Sequence, residues 1–285
     1  DMAKCKIISI ANQKGGVGKT TTTFSLGVAL ANNNKKVLVV DADPQANLTT
    51  YMGFDENEVE ETLSTLIDRY IDDEEIRPEK AILHNGEGVD LIPSNLNLSV
   101  TGENLSNAMS REYAMKNCLS ELKSIYDYII IDCMPSLNMV TMNALATADE
   151  VIIPVQSQYL SARGMGNLIN IVSKVKKHLN PELKVGGILL TLVDSRTKLP
   201  STIKQEIKEQ YGNIVKLYET QIPCAIKTAE STSKGKSIFA YDKNSKVAQA
   251  YTNFAKEVLS DNERGKNEIA KGNIRWFILN SRGKR

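Results

Sequence analysis

The sequence predicts an α/β fold, doubly wound, with a mostly parallel sheet and helices on both of its faces. Three observations carry that prediction. Six short runs are apolar and rich in β-branched residues: K-I-I-S-I (6–10), K-V-L-V-V (36–40), V-D-L-I (89–92), Y-I-I-I (128–131), V-I-I-P-V (151–155) and G-I-L-L-T-L-V (187–193). Each is followed by a helical pattern, and strands apolar on both faces that alternate with helices belong to parallel sheets covered on two sides. No long linker divides the series, so residues 1–260 are expected to form one domain. A chain of 285 residues with 41% hydrophobic composition supplies a core for it.

Composition limits the function. Lys plus Arg is 35 and Asp plus Glu is 34, which excludes a uniformly basic coat, so any nucleic-acid contact must use a local patch. The four cysteines form no C-x-x-C pair and only two histidines are present, so neither a disulfide framework nor a zinc centre is expected. The first thirty residues lack a signal-peptide layout, and no apolar run approaches the roughly 18 residues of a spanning helix. A cytoplasmic protein with no membrane contact is the expectation. Residues 55–80 hold eleven acids against three bases, read as a solvated helical face. Residues 261–285 hold seven bases against three acids and read as a basic, flexible tail.

The first strand runs into N-Q-K-G-G-V-G-K-T-T (12–21). Its end, Gly18-Lys19-Thr20, fits the phosphate-loop pattern G-x-x-x-x-G-K-[ST], although Gln13 stands where that pattern opens on glycine. Thr20 onward reads as an amphipathic helix. Glycines 15, 16 and 18 let the backbone N–H groups from Lys14 through Val17 to Thr21, and the helix N-terminus, face a phosphate. Lys19 is expected to bridge the β- and γ-phosphates of ATP, and the Thr20 hydroxyl to ligate Mg²⁺. Lys14 is one lysine more than such a loop needs. Pointing outward, it could reach the triphosphate of a second subunit and offset the repulsion of two nucleotides held face to face.

K-G-G-V-G-K-T-T resembles the deviant Walker A motif of the ParA/MinD family of P-loop NTPases. The resemblance spans about residues 4–258 and implies an ATP-bound sandwich homodimer in which the extra lysine acts in trans. Further motifs follow in the family's order. D-A-D-P-Q-A-N-L-T-T (41–50) closes the second strand, with two carboxylates expected to point the same way on it. It resembles the ParA-type form of this segment, which implies that Asp43 positions the attacking water and Asp41 helps order the magnesium shell. Y-D-Y-I-I-I-D-C-M-P-S (126–136) has the Walker B form, an apolar strand ending in an acid, and Asp132 should hold Mg²⁺ through a water. Met134 departs from the family's D-C-P-P-S.

The second half carries the rest of the resemblance. T-L-V-D-S-R-T-K-L (191–199) contributes Arg196 toward DNA. In I-P-C-A-I-K-T-A-E-S-T-S-K-G-K-S-I (222–238), Pro223 corresponds to the family's proline beside the adenine. Lys227 stands at one DNA-contacting arginine position, Cys224 replaces the other, and Lys234 and Lys236 lie nearby. The family reading is therefore a slow partition ATPase with nucleoid-associated localisation. Its expected partners are non-specific double-stranded DNA and a ParB-type centromere-binding protein. A competing reading is a MinD-like membrane-surface ATPase, anchored by Ile274, Phe277 and Ile278 on one helical face of the tail.

Overall fold

Why the strands are apolar on both faces becomes clear once they are placed in the sheet. The computed structural model describes residues 5–156, 162–194, 204–205, 208–209 and 215–281, with the side chains of 162–167 and 264–281 outside that description. In chain order the elements are β1 (Lys6–Ile10), α1 (Lys19–Ala31), β2 (Val37–Ala42), α2 (Asn47–Tyr51), α3 (Leu63–Ile71), β3 (Leu83–His84), β4 (Val89–Ile92), α4 (Asn97–Leu105), α5 (Ala114–Cys118) and β5 (Tyr128–Cys133). They continue with α6 (Met139–Thr147), β6 (Glu150–Gln156), α7 (Ala162–His178), β7 (Lys184–Val193), β8 (Leu217–Pro223), α8 (Ile226–Ser233), α9 (Ile238–Asp242) and α10 (Lys246–Ser281).

The sheet order is β3-β4-β2-β5-β1-β6-β7-β8, with β3 antiparallel to β4 and the other pairs parallel. Successive side chains go to opposite faces, as the period-2 pleat requires. On β5, Ile129 and Ile131 join one core cluster, while Tyr128 and Ile130 join the other. The first cluster is closed by α3, α4, α5, α6 and α7, through residues such as Leu66, Leu98, Met115, Leu145 and Val172. The second is closed by α1, α2, α9 and α10, through Phe24, Leu48, Ile238 and Phe254. Each fully buried Ile, Leu or Phe contributes roughly 1.5–3 kcal/mol, so two such layers hold the sheet firmly.

All six expected strands are present, within three residues at their ends. Two strands were not legible. β3 is only two residues long, and β8 (L-Y-E-T-Q-I-P) alternates exposure as a sheet-edge strand does. The last helix continues from Lys246 to Ser281, across the expected boundary at 260. Among the described residues, no helix is long and apolar enough to cross a membrane.

Crossover connections place the carboxyl ends of β1, β2 and β5 side by side. In doubly wound sheets, ligands bind along that edge where strand order reverses. Here the chain moves from β1 to β2 on one side and later to β6 on the other, so the switch lies at β1 and its following loop.

Candidate functional site

The loop after β1 opens helix α1 through Gly18, whose φ of 82° puts it in the left-handed region at the helix N-cap. Gly16 is also left-handed, at φ 71°, and a Cβ on Gly15 or Gly16 would meet nothing within 4 Å. The left-handed turns at Gly16 and Gly18 curl the loop, a backbone conformation in which residues with a Cβ are strained. Asn12 braces its start: its Nδ2 donates to the Pro154 carbonyl at 2.7 Å, and its Oδ1 accepts the Lys14 N–H at 3.0 Å. Thr191, buried at the end of β7, donates from Oγ1 to the Val17 carbonyl at 2.8 Å and fixes the middle. Val17 itself is buried.

Lys19 is 7% exposed, and its Nζ donates to the Lys14 carbonyl across the loop at 3.0 Å. Burial lowers its pKa, against the opposing pull of Asp132. Lys14, by contrast, is exposed on the rim of the same loop. The two lysines thus differ in environment, Lys19 buried against the loop backbone and Lys14 exposed.

Asp41 and Asp132 are opposite one another in the β2–β5 register and both are buried. Burial pushes Asp41 up to about 7 and Asp132 up to about 8, the latter also through the charge of Asp41. Three donors hold Asp41: the Thr49 N–H at 2.9 Å, the Thr49 hydroxyl at 2.8 Å and the Asp43 N–H at 3.2 Å. The Thr49 oxygen in turn accepts the Ser94 N–H at 3.0 Å, tying β2 to the end of β4. Asp132 accepts from the Thr23 hydroxyl at 3.4 Å, one helical turn beyond Lys19, and also interacts with the Thr20 side chain.

One expectation is corrected here. Asp43 does not share a strand face with Asp41, because β2 ends at Ala42. The chain turns there: the Gln45 N–H donates to Asp43 Oδ1 at 2.9 Å, and Ala46 adopts φ 51° before α2 begins. Asp43 is half-buried at the turn, beside the buried pair rather than within it.

Chemically, Thr20, Asp41 and Asp132 offer hard oxygen donors, the kind Mg²⁺ prefers. Among the described residues, no group of three or more His, Cys, Asp or Glu side chains converges to hold a metal unaided. The donor set fits a cation shared with phosphate oxygens, and the glycine loop at the N-terminus of α1 fits the phosphates.

The remaining candidates lie elsewhere. Pro223 ends β8, three strands along from β1, and lines a depression with Val193, Gln249 and Asn253. Lys227, Lys234 and Lys236 cluster around α8 and α9 rather than at the loop. Lys227 pairs with Asp242 at 2.5 Å, and Lys234 sits 5.1 Å from the Tyr241 ring centre. Arg196 lies outside the described residues. The tail side chains Ile274, Phe277 and Ile278 do as well. Cys133 is buried, which pushes its thiol up to about 12, in keeping with a packing residue. Sequence reasoning missed Thr23, Thr49 and Thr191. The T-T-T run after Lys19 and the L-T-T at 48–50 were visible, but not their carboxylate partners.

A family model described as an AAA domain matches residues 5–185. The sporulation initiation inhibitor protein Soj of Bacillus subtilis is 42% identical over 256 residues, 90% of this chain and 99% of that protein. The chromosome partitioning protein ParA of Caulobacter vibrioides is 35% identical, over 90% of this chain and 94% of its own length. Among solved structures, cobyrinic acid a,c-diamide synthase from Mycobacterium smegmatis, with bound ATP analogue and magnesium, is 34% identical with a TM-score of 0.80. It covers 92% of this chain and 97% of that one.

Proposed function

Because the chain belongs to the Soj/ParA family of P-loop partition ATPases, we propose that it uses ATP and Mg²⁺ to switch between free and DNA-bound states. In this reading, ATP closes two copies face to face, the pair holds double-stranded DNA without sequence preference, and hydrolysis releases it. The observation that carries the reading is the arrangement of one loop and two carboxylates. Lys19 lies inside the loop, Lys14 on its rim, and Asp41 and Asp132 are paired across adjacent strands.

Each residue then has a task. The loop N–H groups and Lys19 hold the phosphates, and Thr20, Asp41 and Asp132 form the oxygen set for the cation. Bound Mg²⁺ would supply charge neutralisation on the phosphates. Asp43, at the turn, orients the attacking water. Lys14 crosses to the partner's triphosphate, so that closure depends on ATP in both copies. Pro223 borders the base.

Lys227, Lys234 and Lys236, with Arg196, face DNA phosphates. Contacts of this sequence-independent kind give dissociation constants of roughly 10⁻⁴–10⁻⁶ M at physiological salt. Doubling them in a closed pair raises binding through avidity, which makes DNA affinity follow nucleotide state. Segments 12–21, 41–50 and 132–136 carry no arginine. A missing arginine finger costs about 10³–10⁵ in rate, so hydrolysis is slow until a ParB-type partner stimulates it.

DNA mobility shift with ADP and with ATP tests the reading, on the wild type and on Lys14→Ala. The wild type is expected to retard DNA with ATP only, and Lys14→Ala with neither. Equal retardation by both proteins in either nucleotide would overturn it.

A further inference from the structure

The lysine-bearing segment and the buried carboxylates sit on different elements, yet one short helix touches both. At its first turn, α2 is fastened to the carboxylates by Thr49, whose N–H and hydroxyl both donate to Asp41 Oδ2. At its last residue, the Tyr51 ring packs edge-on against Phe24 of α1, with centroids 5.2 Å apart and planes at 85°. The Tyr51 hydroxyl lies 3.4 Å from the Ser231 hydroxyl of α8.

Two more contacts join the end of α2 to the same segment. Gly53 and Gly235 meet backbone to backbone, so closely that a Cβ on Gly235 would lie 2.9 Å from the Gly53 Cα. Both are left-handed, at φ 88° and 61°. Beside them, the turn before β4 acts as a bracket. Asn85 Nδ2 donates to the Met52 carbonyl at 3.1 Å, and the Glu87 carboxylate accepts the Ser237 N–H at 2.9 Å and the Ser237 hydroxyl. Ser237 is the N-cap of α9, accepting from Phe239 and Ala240 N–H.

The α8–α9 unit is itself braced. Lys227 pairs with Asp242, and the Tyr241 hydroxyl donates to Glu230 at 2.8 Å. Gly53 is exposed and Gly235 half-buried, but a contact of two glycine backbones has no side chain that could rotate aside to absorb a shift of α2.

We propose that α2 is the coupler that sets the placement of Lys227, Lys234 and Lys236 according to the position of Asp41, with the Gly53–Gly235 contact as its distal joint. This rests on the reading of those lysines as DNA-facing. Whatever repositions the Asp41 carboxylate draws Thr49 with it, and the five-residue helix carries the displacement to Gly53. Thr49, Tyr51 and Gly235 are positioning residues. None of them is assigned contact with nucleotide or DNA.

The test compares the full-length wild type with Gly235→Ala and with Tyr51→Phe, which keeps the ring and removes only the hydroxyl. Three quantities are read: affinity for a fluorescent ATP analogue, the ratio of DNA affinities in ATP and ADP, and amide hydrogen exchange over residues 226–242 with and without Mg-ATP. Gly235→Ala is expected to bind nucleotide within about twofold of wild type while its DNA-affinity ratio falls about tenfold, within the usual size of coupling between sites. Exchange over 226–242 should stop responding to nucleotide. Tyr51→Phe, which preserves packing, should lower the ratio about threefold. Unchanged ratios and unchanged exchange responses in both variants would overturn the coupler. Failure of Gly235→Ala to fold leaves Tyr51→Phe to decide by the same readouts. If wild-type exchange responds to nucleotide but no DNA is bound, the coupler stands and the DNA reading falls. If DNA binding follows ATP while wild-type exchange over 226–242 does not respond, the coupler falls and the DNA reading stands.

Discussion

Asp41 and Asp132 face one another across adjacent parallel strands, both buried, with three hydrogen-bond donors aimed at Asp41. Burial raises both carboxyls above the ordinary aspartate range, and the charge of Asp41 raises Asp132 further. Much of the expected behaviour follows from this pair.

The first prediction concerns pH. Unfolded aspartates titrate near about 4, whereas in the fold this pair is pushed up to about 7 and about 8. Between those limits the folded state keeps protons that the unfolded chain has released. Stability of the metal-free protein therefore falls as pH rises from about 5 to about 8, the sign given by proton linkage. Urea titrations with chelator at several pH values measure it, and Asp132→Asn should flatten the slope. A stability that climbs over this window would contradict the assignment.

The two lysines are expected to separate. Lys19→Ala removes the ammonium inside the loop and should weaken nucleotide affinity by at least about tenfold, the loss of one charge-assisted contact. Lys14→Ala should leave monomer affinity near wild type and abolish ATP-dependent pairing. Equilibrium binding and light scattering distinguish them. Identical defects in both variants would show that they share one role.

Thr191 holds the loop from the neighbouring part of the sheet. Thr191→Val strands the buried Val17 carbonyl, at a cost of about 1–3 kcal/mol to the hydrogen bond seen at 2.8 Å. Nucleotide affinity should drop about tenfold, and Thr191→Ser should restore it. No difference between the valine and serine variants would remove the hydroxyl from the account.

The last helix earns its place through Phe254, which is buried and meets the Tyr218 ring edge-on at 4.8 Å. Phe254→Ala should cost roughly 3–5 kcal/mol, as expected for a core aromatic replaced by a cavity. Denaturant midpoints read this directly. A loss below about 1 kcal/mol would mean that α10 adds little to the domain.

Six strands and the phosphate loop were readable because their signals are local. β-branched runs such as Y-I-I-I and a glycine cluster before Lys19-Thr20 state their conformations within a few residues. β8 was not readable, since its alternating side chains look like any exposed segment until β7 pairs with it. Asp43 was misplaced for a related reason. Spacing placed it on the strand with Asp41, but the Asp43–Gln45 turn and the left-handed Ala46 end the strand first.

By itself, then, the sequence determined the doubly wound parallel sheet, the curled loop with its inner lysine, and the identity of the acids at the ends of the second and fifth strands. Each follows from short-range periodicity or from backbone freedom at glycine. Tertiary structure alone decided which groups orient those acids, and that the segment from Thr49 to Gly53 runs from Asp41 to Gly235. Thr191 serves Val17 from 174 positions away, and Ser231 meets Tyr51 across 180. Hydrogen bonds of that separation exist only after the chain has closed on itself, so no local pattern encodes them.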